Sequence, residues 1–156
     1  MMKVRDLMTS DVETCRPDTD LATVVRMMWD RDCGFIPVVD EAGALRGVVT
    51  DRDICIAAAT RRVLPEYMTA RQAMTHPVHA CTPDDDIVDA LAAMKQYKIR
   101  RMAVIDSNCL VKGVVSMNDV VLACAQGLGP EAKEIVSTLA AICAHRMSTP
   151  GTPALA

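Results

Sequence analysis

Residues 5–57 reappear at 71–123 after a shift of 66 positions, with no gap. Sixteen of the 53 positions are identical, including Met8/Met74, Thr9/Thr75, Cys15/Cys81, Pro17/Pro83, Asp20/Asp86, Asp40/Asp106, Gly47/Gly113 and Asp53/Asp119. Unrelated sequences of ordinary composition share about 3. Internal repetition at a fixed period means one supersecondary unit used twice. Each copy is under 60 residues and would be marginal alone, because small units bury too little surface. Packing one copy on the other solves that, and a matched pair can enclose pseudo-symmetric sites between them.

The remaining composition narrows the function. At 156 residues with 51% apolar side chains, the chain can build a shared core. The net charge of −3 and the 3% aromatic content argue against nucleic acid, whose single strands need stacking rings and a basic groove. Cysteines at 15, 33, 55, 81, 109, 124 and 143 form no C-x-x-C pair, which points to buried thiols and a reducing, cytoplasmic setting. Cys15 and Cys81 occupy matched positions, and two separately buried thiols are expected over a redox pair. The start, Met-Met-Lys-Val-Arg-Asp, has no apolar signal-peptide core, and no apolar run reaches membrane-spanning length, so no membrane partner is expected. His76, His79 and His145 are scattered and lack a third ligand for zinc. The eleven methionines read as adaptable core filler, and Trp29 as the mark of a packed interface.

Each copy reads as strand, helix, strand, strand, helix. Val12–Cys15 suits a short strand that Pro17 ends, and Asp18–Asp20 offers helix N-cap chemistry. Leu21, Val24, Val25 and Met28 follow at helical spacing, as do Ile87, Ala90, Leu91 and Met94. Gly34 is expected to end the first helix as a left-handed cap. A hairpin follows, Ile36 to Asp40 and Ala44 to Val49, repeated at Met102–Asp106 and Leu110–Val115. The closing helices, Asp51–Ala59 and Met117–Ala125, are apolar nearly all round, which predicts burial from two directions. The expected layout is a first repeat over 1–60, a linker over 61–70 and a second repeat over 71–126. A C-terminal helix over 127–147 and a flexible tail over 148–156 complete it.

The strand-to-helix junctions carry the chemistry: Gly47-Val48-Val49-Thr50-Asp51-Arg52-Asp53 and Gly113-Val114-Val115-Ser116-Met117-Asn118-Asp119. A hydroxyl followed three residues later by a carboxylate makes a capping box. The same groups suit a nucleotide. A helix N-terminus favours phosphate, a hydroxyl bonds sugar or phosphate oxygen, and a carboxylate accepts from two vicinal ribose hydroxyls. Capping and binding are compatible, and the residues alone leave both open.

These duplicated junctions, with Phe35-Ile36-Pro37-Val38-Val39-Asp40 and Ile99-Arg100-Arg101-Met102-Ala103-Val104-Ile105-Asp106 upstream and Leu7-Met8-Thr9 and Ala73-Met74-Thr75 leading, resemble the cystathionine β-synthase (CBS) domain. The chain looks like a stand-alone CBS pair of the bacterial type over residues 4 to about 125. The resemblance implies an α+β fold of two β-α-β-β-α repeats packed as a pseudo-twofold pair, often paired again as a homodimer. It also implies clefts between the repeats for adenosine-containing ligands: AMP, ADP, ATP, NAD or S-adenosylmethionine. By position, Thr50, Asp53, Ser116 and Asp119 would hold ribose or phosphate. Val12, Thr14, Val78 and Ala80, with Phe35, Ile36, Pro37, Met102 and Ala103, would surround adenine. Arg100 and Arg101 stand where the family often binds phosphate, and their counterparts are Gly34 and Phe35, so the two clefts should differ. Ala103 replaces the family's usual proline, and Met117 brings a bulky side chain into the second junction.

The expected function is a regulatory module with an adenine nucleotide as regulatory ligand, signalling through inter-repeat or dimer geometry to an effector protein. The alternative is a dimeric scaffold whose Thr/Ser-x-x-Asp motifs only cap helices. No catalytic cofactor, metal or nucleophile–base set is visible, so no enzyme activity is expected.

Overall fold

The computed structural model describes residues 1–144. Expectations for His145, the end of the C-terminal helix and the tail fall outside those residues. The order is α1 (Leu21–Asp30), β1 (Phe35–Val39), β2 (Leu45–Thr50), α2 (Asp51–Arg61), α3 (Ala70–Ala73), β3 (Ala80–Cys81), α4 (Ile87–Tyr97), β4 (Arg101–Ile105), β5 (Val111–Ser116), α5 (Met117–Ala125) and α6 (Ala132–Cys143). Short 3-10 turns lie at Val4–Asp6 and Pro65–Tyr67.

The duplication is visible in register. Antiparallel β1–β2 pairs Phe35 with Thr50 and Val38 with Gly47, and β4–β5 pairs Arg101 with Ser116 and Val104 with Gly113. Both hairpins slip register at the same place, between Val38 and Val39 and between Val104 and Ile105. The leading strands differ. In the second repeat β3 runs parallel to β4 through Ala80–Ala103 and Cys81–Val104. In the first, only Cys15 bridges to Val38. Pro37 has no N–H to donate into that ladder, whereas its counterpart Ala103 does. The expected strand over Val12–Cys15 is therefore reduced to one bridge.

The repeats interlock by exchanging their leading segments. Thr9 exchanges backbone bonds with Val114 at 2.9 and 3.0 Å, and Thr75 does the same with Val48 at 2.8 and 3.2 Å. Lys3 bridges to Asp86, and Thr69 to Asp20. Ala44 bridges to Leu110, its own counterpart, so the pseudo-dyad passes between the hairpin turns. Two cores result. Leu21, Val24, Met28, Ile36, Val38, Val49 and Ile54 pack with Met68 and Ala70 from the second lead, while Ile87, Leu91, Met94, Met102, Val104, Val115 and Val120 pack with Val4 from the first.

Three local expectations fail. Asp32, not Gly34, takes the left-handed conformation after α1, at φ 48°. Gly34 is small because a Cβ there would lie 2.5 Å from Asp51 Oδ2. The closing helices are buried on one side only within the chain: Ile56 on α2 and Val121 and Leu122 on α5 stay exposed. Val25, expected in the α1 stripe, is also 43% exposed.

Candidate functional site

Both junction motifs form complete capping boxes. The Thr50 N–H and hydroxyl donate to Asp53 Oδ2 at 2.9 and 2.7 Å, and the Asp53 N–H donates back to Thr50 Oγ1 at 3.1 Å. The Ser116 N–H and hydroxyl donate to Asp119 Oδ2, each at 2.7 Å, and the Asp119 N–H donates to Ser116 Oγ at 3.3 Å. These bonds occupy one carboxylate oxygen at each site. The other, Oδ1, takes no part in them and remains an acceptor at the helix mouth.

The first box opens on a cleft of about 850 Å³ between the repeats. Phe35, Val48, Thr50, Asp51, Arg52 and Asp53 come from the first repeat, and Thr75, Pro77, Val78, His79, Lys98, Ile99, Arg100 and Arg101 from the second. The last turn of α6 adds Ile142, Cys143 and Ala144. Six residues expected from sequence, Phe35, Thr50, Asp53, Val78, Arg100 and Arg101, thus share one cavity. Ile36, Pro37, Met102 and Ala103 are buried in the hairpins, Val12 and Ala80 are half-buried, and Thr14 is exposed. None of those seven lines this cleft, nor do Ser116 and Asp119.

The cleft is cationic: Arg52, Lys98, Arg100 and Arg101 outnumber Asp51 and Asp53. Arginine forks suit phosphate, and a helix N-terminus supports them. The positions matched to those four cations around Ser116 and Asp119 are Asn118, Asp32, Gly34 and Phe35, which supply none. The rims differ in the same sense. His79 stacks on Tyr97 with centroids 3.5 Å apart at 12°. Their counterparts Glu13 and Arg31 instead form an ion pair at 3.0 Å, with Asp11 joining at 3.2 Å. The Glu13 and Asp11 hydrogen bonds raise the Arg31 pKa further. One backbone plan thus carries two junctions with different electrostatic surroundings.

Sequence reasoning missed Arg52, Lys98, the His79–Tyr97 stack and the α6 wall. Arg52 occupied a variable position of its own motif, and Lys98 stood two residues before Arg100, so both had a local signal. Among the described residues, no group of three or more His, Cys, Asp or Glu side chains could hold a metal ion, and no helix is long and apolar enough to cross a membrane.

Residues 4–59 and 70–126 each match the CBS domain. The chain belongs to the CBS domain family. It is 32% identical over 120 residues to the CBS domain-containing protein YhcV of Bacillus subtilis, covering 77% of this chain and 84% of that one. Among solved structures, it resembles the CBS domain pair of protein MJ0100, in complex with 5'-methylthioadenosine and S-adenosyl-L-methionine. That match has TM-score 0.75 and 23% identity, and covers 81% of this chain and 98% of the other. It also resembles CBSX2 in complex with AMP, at TM-score 0.69 and 23% identity, with 81% of this chain and 98% of the other covered. These likenesses establish the α+β CBS-pair fold, with α6 as an addition outside the matched residues.

Proposed function

We propose that this CBS pair is a regulatory module that binds a phosphorylated adenosine compound, one per chain, in the cleft bounded by Thr50, Asp53, Arg100 and Arg101. The observation that carries the reading is the meeting of a free carboxylate oxygen and four cations in one cavity. Asp53 Oδ1 would accept from the ribose hydroxyls, with Thr50 beside it. Arg100, Arg101, Arg52 and Lys98 would hold phosphate. Phe35, Val78 and Ile99 would supply apolar walls. AMP and S-adenosyl-L-methionine in the related structures support an adenosine ligand. The cationic lining favours AMP, ADP or ATP over the sulfonium compound.

The matched surface at Ser116 and Asp119 has no equivalent cations, so phosphorylated ligands should not fill it. Ligand binding would shift the relative populations of inter-repeat or dimer arrangements and pass the signal to an effector protein. Exposed Ile56, Val121 and Leu122 support pairing with a second copy. Sedimentation of the full chain reads this directly.

A thermal-shift series with AMP, ADP, ATP and adenosine tests the binding reading. A ligand that binds only the folded state raises the melting temperature by mass action. The phosphorylated compounds should raise it more than adenosine. A second reading, a scaffold whose motifs only cap helices, has the completed capping boxes in its favour. No shift with any compound at millimolar concentration would select it.

A further inference from the structure

Helix α6 stands outside the duplication, yet its end reaches the cleft that the duplication builds. It lies beyond residue 126, where the second CBS match ends. It packs on α4 and α5, with Ile135 and Thr138 buried and Leu139 and Ile142 set against the second core. The last turn sits shallower: Ala140, Cys143 and Ala144 are exposed. Ile142, Cys143 and Ala144 line the same cleft as Thr50, Arg100 and Arg101. Two lysines at the end of α4 tie α6 down. Lys95 donates to Ser137 Oγ at 2.8 Å, and Lys98 donates to the Ala144 carbonyl at 3.2 Å. Lys98 itself lines the cleft. It takes the left-handed position after α4 at φ 54°, and its counterpart Asp32 takes it after α1 at φ 48°. The backbone position belongs to the common plan, and the cation only to the repeat that carries α6.

We propose that the last turn of α6 is an autoinhibitory contact on the cleft, released when a ligand's phosphate takes Lys98. The inference rests on the phosphate reading of the cleft given above. A helix C-terminus carries roughly half a negative charge on its last carbonyls. Helix α6 places that end in the cavity where Arg52, Arg100 and Arg101 gather. The Lys98 ammonium neutralises the helix end through the Ala144 carbonyl. A phosphate dianion is a far stronger partner for the same ammonium than a neutral carbonyl is. It also repels the helix end that shares its cavity. Binding therefore withdraws the neutralising charge and adds repulsion at the same point. Buried Ile135 and Thr138 keep the rest of α6 on α4 and α5, so the change stays within residues 140–144. Linkage makes the effect reciprocal: a looser last turn must bind phosphate more tightly. If Ile142 and its neighbours served only as a wall for the ligand, the signs would be opposite, with ligand pinning the turn.

Amide hydrogen exchange of the full-length protein, read by NMR at Ile142, Cys143 and Ala144, tests this, with AMP affinity measured by titration calorimetry. The Ala144 N–H donates to the Ala140 carbonyl at 3.0 Å and reports the turn directly. Saturating AMP should speed exchange at these amides about two- to fivefold, the size of a charge effect at a helix end, and leave Ile135 and Thr138 unchanged. Adenosine, which has no phosphate, should not speed it. Lys98→Asn removes the tie and suits the left-handed backbone. In that variant the last turn should exchange as fast without ligand as wild type does with AMP, and AMP should add nothing. Ala140→Gly lies outside the cleft lining, frays the turn without touching the cations, and should tighten AMP binding about two- to fivefold. Exchange unchanged or slowed by AMP, an equal response to adenosine, or a wild-type response in Lys98→Asn would overturn the inference. So would unchanged or weaker AMP binding in Ala140→Gly. AMP that binds without loosening the last turn sinks this inference alone, whereas AMP that fails to bind at all sinks the proposed function with it.

Discussion

Asp53 spends one oxygen on the capping box, and the proposed function gives the other to ligand recognition. Oδ2 closes the capping box with Thr50, and Oδ1 takes no part in those bonds. Asp53→Asn should therefore separate the roles. The amide oxygen can still accept from Thr50, so stability should fall by no more than the roughly 1 kcal/mol of a lost cap. The amide N–H groups cannot replace an anionic acceptor. AMP affinity should then fall at least about tenfold, as for a lost hydrogen bond to a charged group. Thermal melting and titration calorimetry read the two effects, and Asp119→Asn should reproduce the first without the second. Unchanged AMP affinity in Asp53→Asn would return that carboxylate to capping alone. The thiols give a second check. Burial pushes Cys15 up to about 11 and Cys81 up to about 12, each in its own core. Exposed Cys55, Cys109 and Cys143 should react with a thiol reagent near pH 8, and Cys15 and Cys81 only on unfolding. Fast labelling of either buried thiol in the folded protein would contradict the packing. The motif residues were readable because duplication marks them twice. His79 and Tyr97 were not, because their stacking comes from tertiary placement.

The matched elements carry unequal constraints. At Gly113 a Cβ would lie 2.5 Å from the Thr9 carbonyl oxygen, a backbone atom held in the bridge to Val114. At Gly47 it would lie 2.6 Å from the Met74 sulfur, the flexible end of a side chain. Gly113→Ala should thus lower stability by about 1–3 kcal/mol, and Gly47→Ala by clearly less. Denaturant melts of the two variants test the order. The hairpins also have a common acid response. Asp40 lies below its ordinary 3.8 because the Ala44 N–H, then Arg46, stabilise its anion. Asp106 is lowered first by Lys112 and then by the Leu110 and Asn108 N–H groups. Both folded values are depressed, so their contribution is whole above the ordinary carboxylate value and fades as pH falls through the folded values. The double variant Asp40→Asn/Asp106→Asn should lose less melting temperature than wild type between pH 6 and pH 3. An equal loss would remove these hairpin carboxylates from the acid response. Hairpin spacing and charge were legible at this scale. The shortened first strand was not, since it turned on the missing N–H of Pro37 against the Ala103 amide.

At the scale of the molecule, one backbone plan carries two different faces. The exchange of leads at Thr9 and Thr75 follows from the duplication and gives each repeat part of the other's core. The charge distribution and α6 then break the symmetry, gathering Arg52, Lys98, Arg100 and Arg101 at a single cleft and covering one helix pair while leaving the other open. The repeat architecture could be read from sequence because its signal recurs at one fixed offset. The assignment of both arginines to the Thr50–Asp53 cleft could not, because either repeat can lend residues to either side. Titration calorimetry of AMP into the full chain and into Arg100→Gln/Arg101→Gln tests the central claim most directly. Wild type should bind one AMP per chain, more tightly than adenosine, and the double variant should lose that phosphate-dependent advantage. No binding of AMP, or equal binding by both proteins, would contradict it.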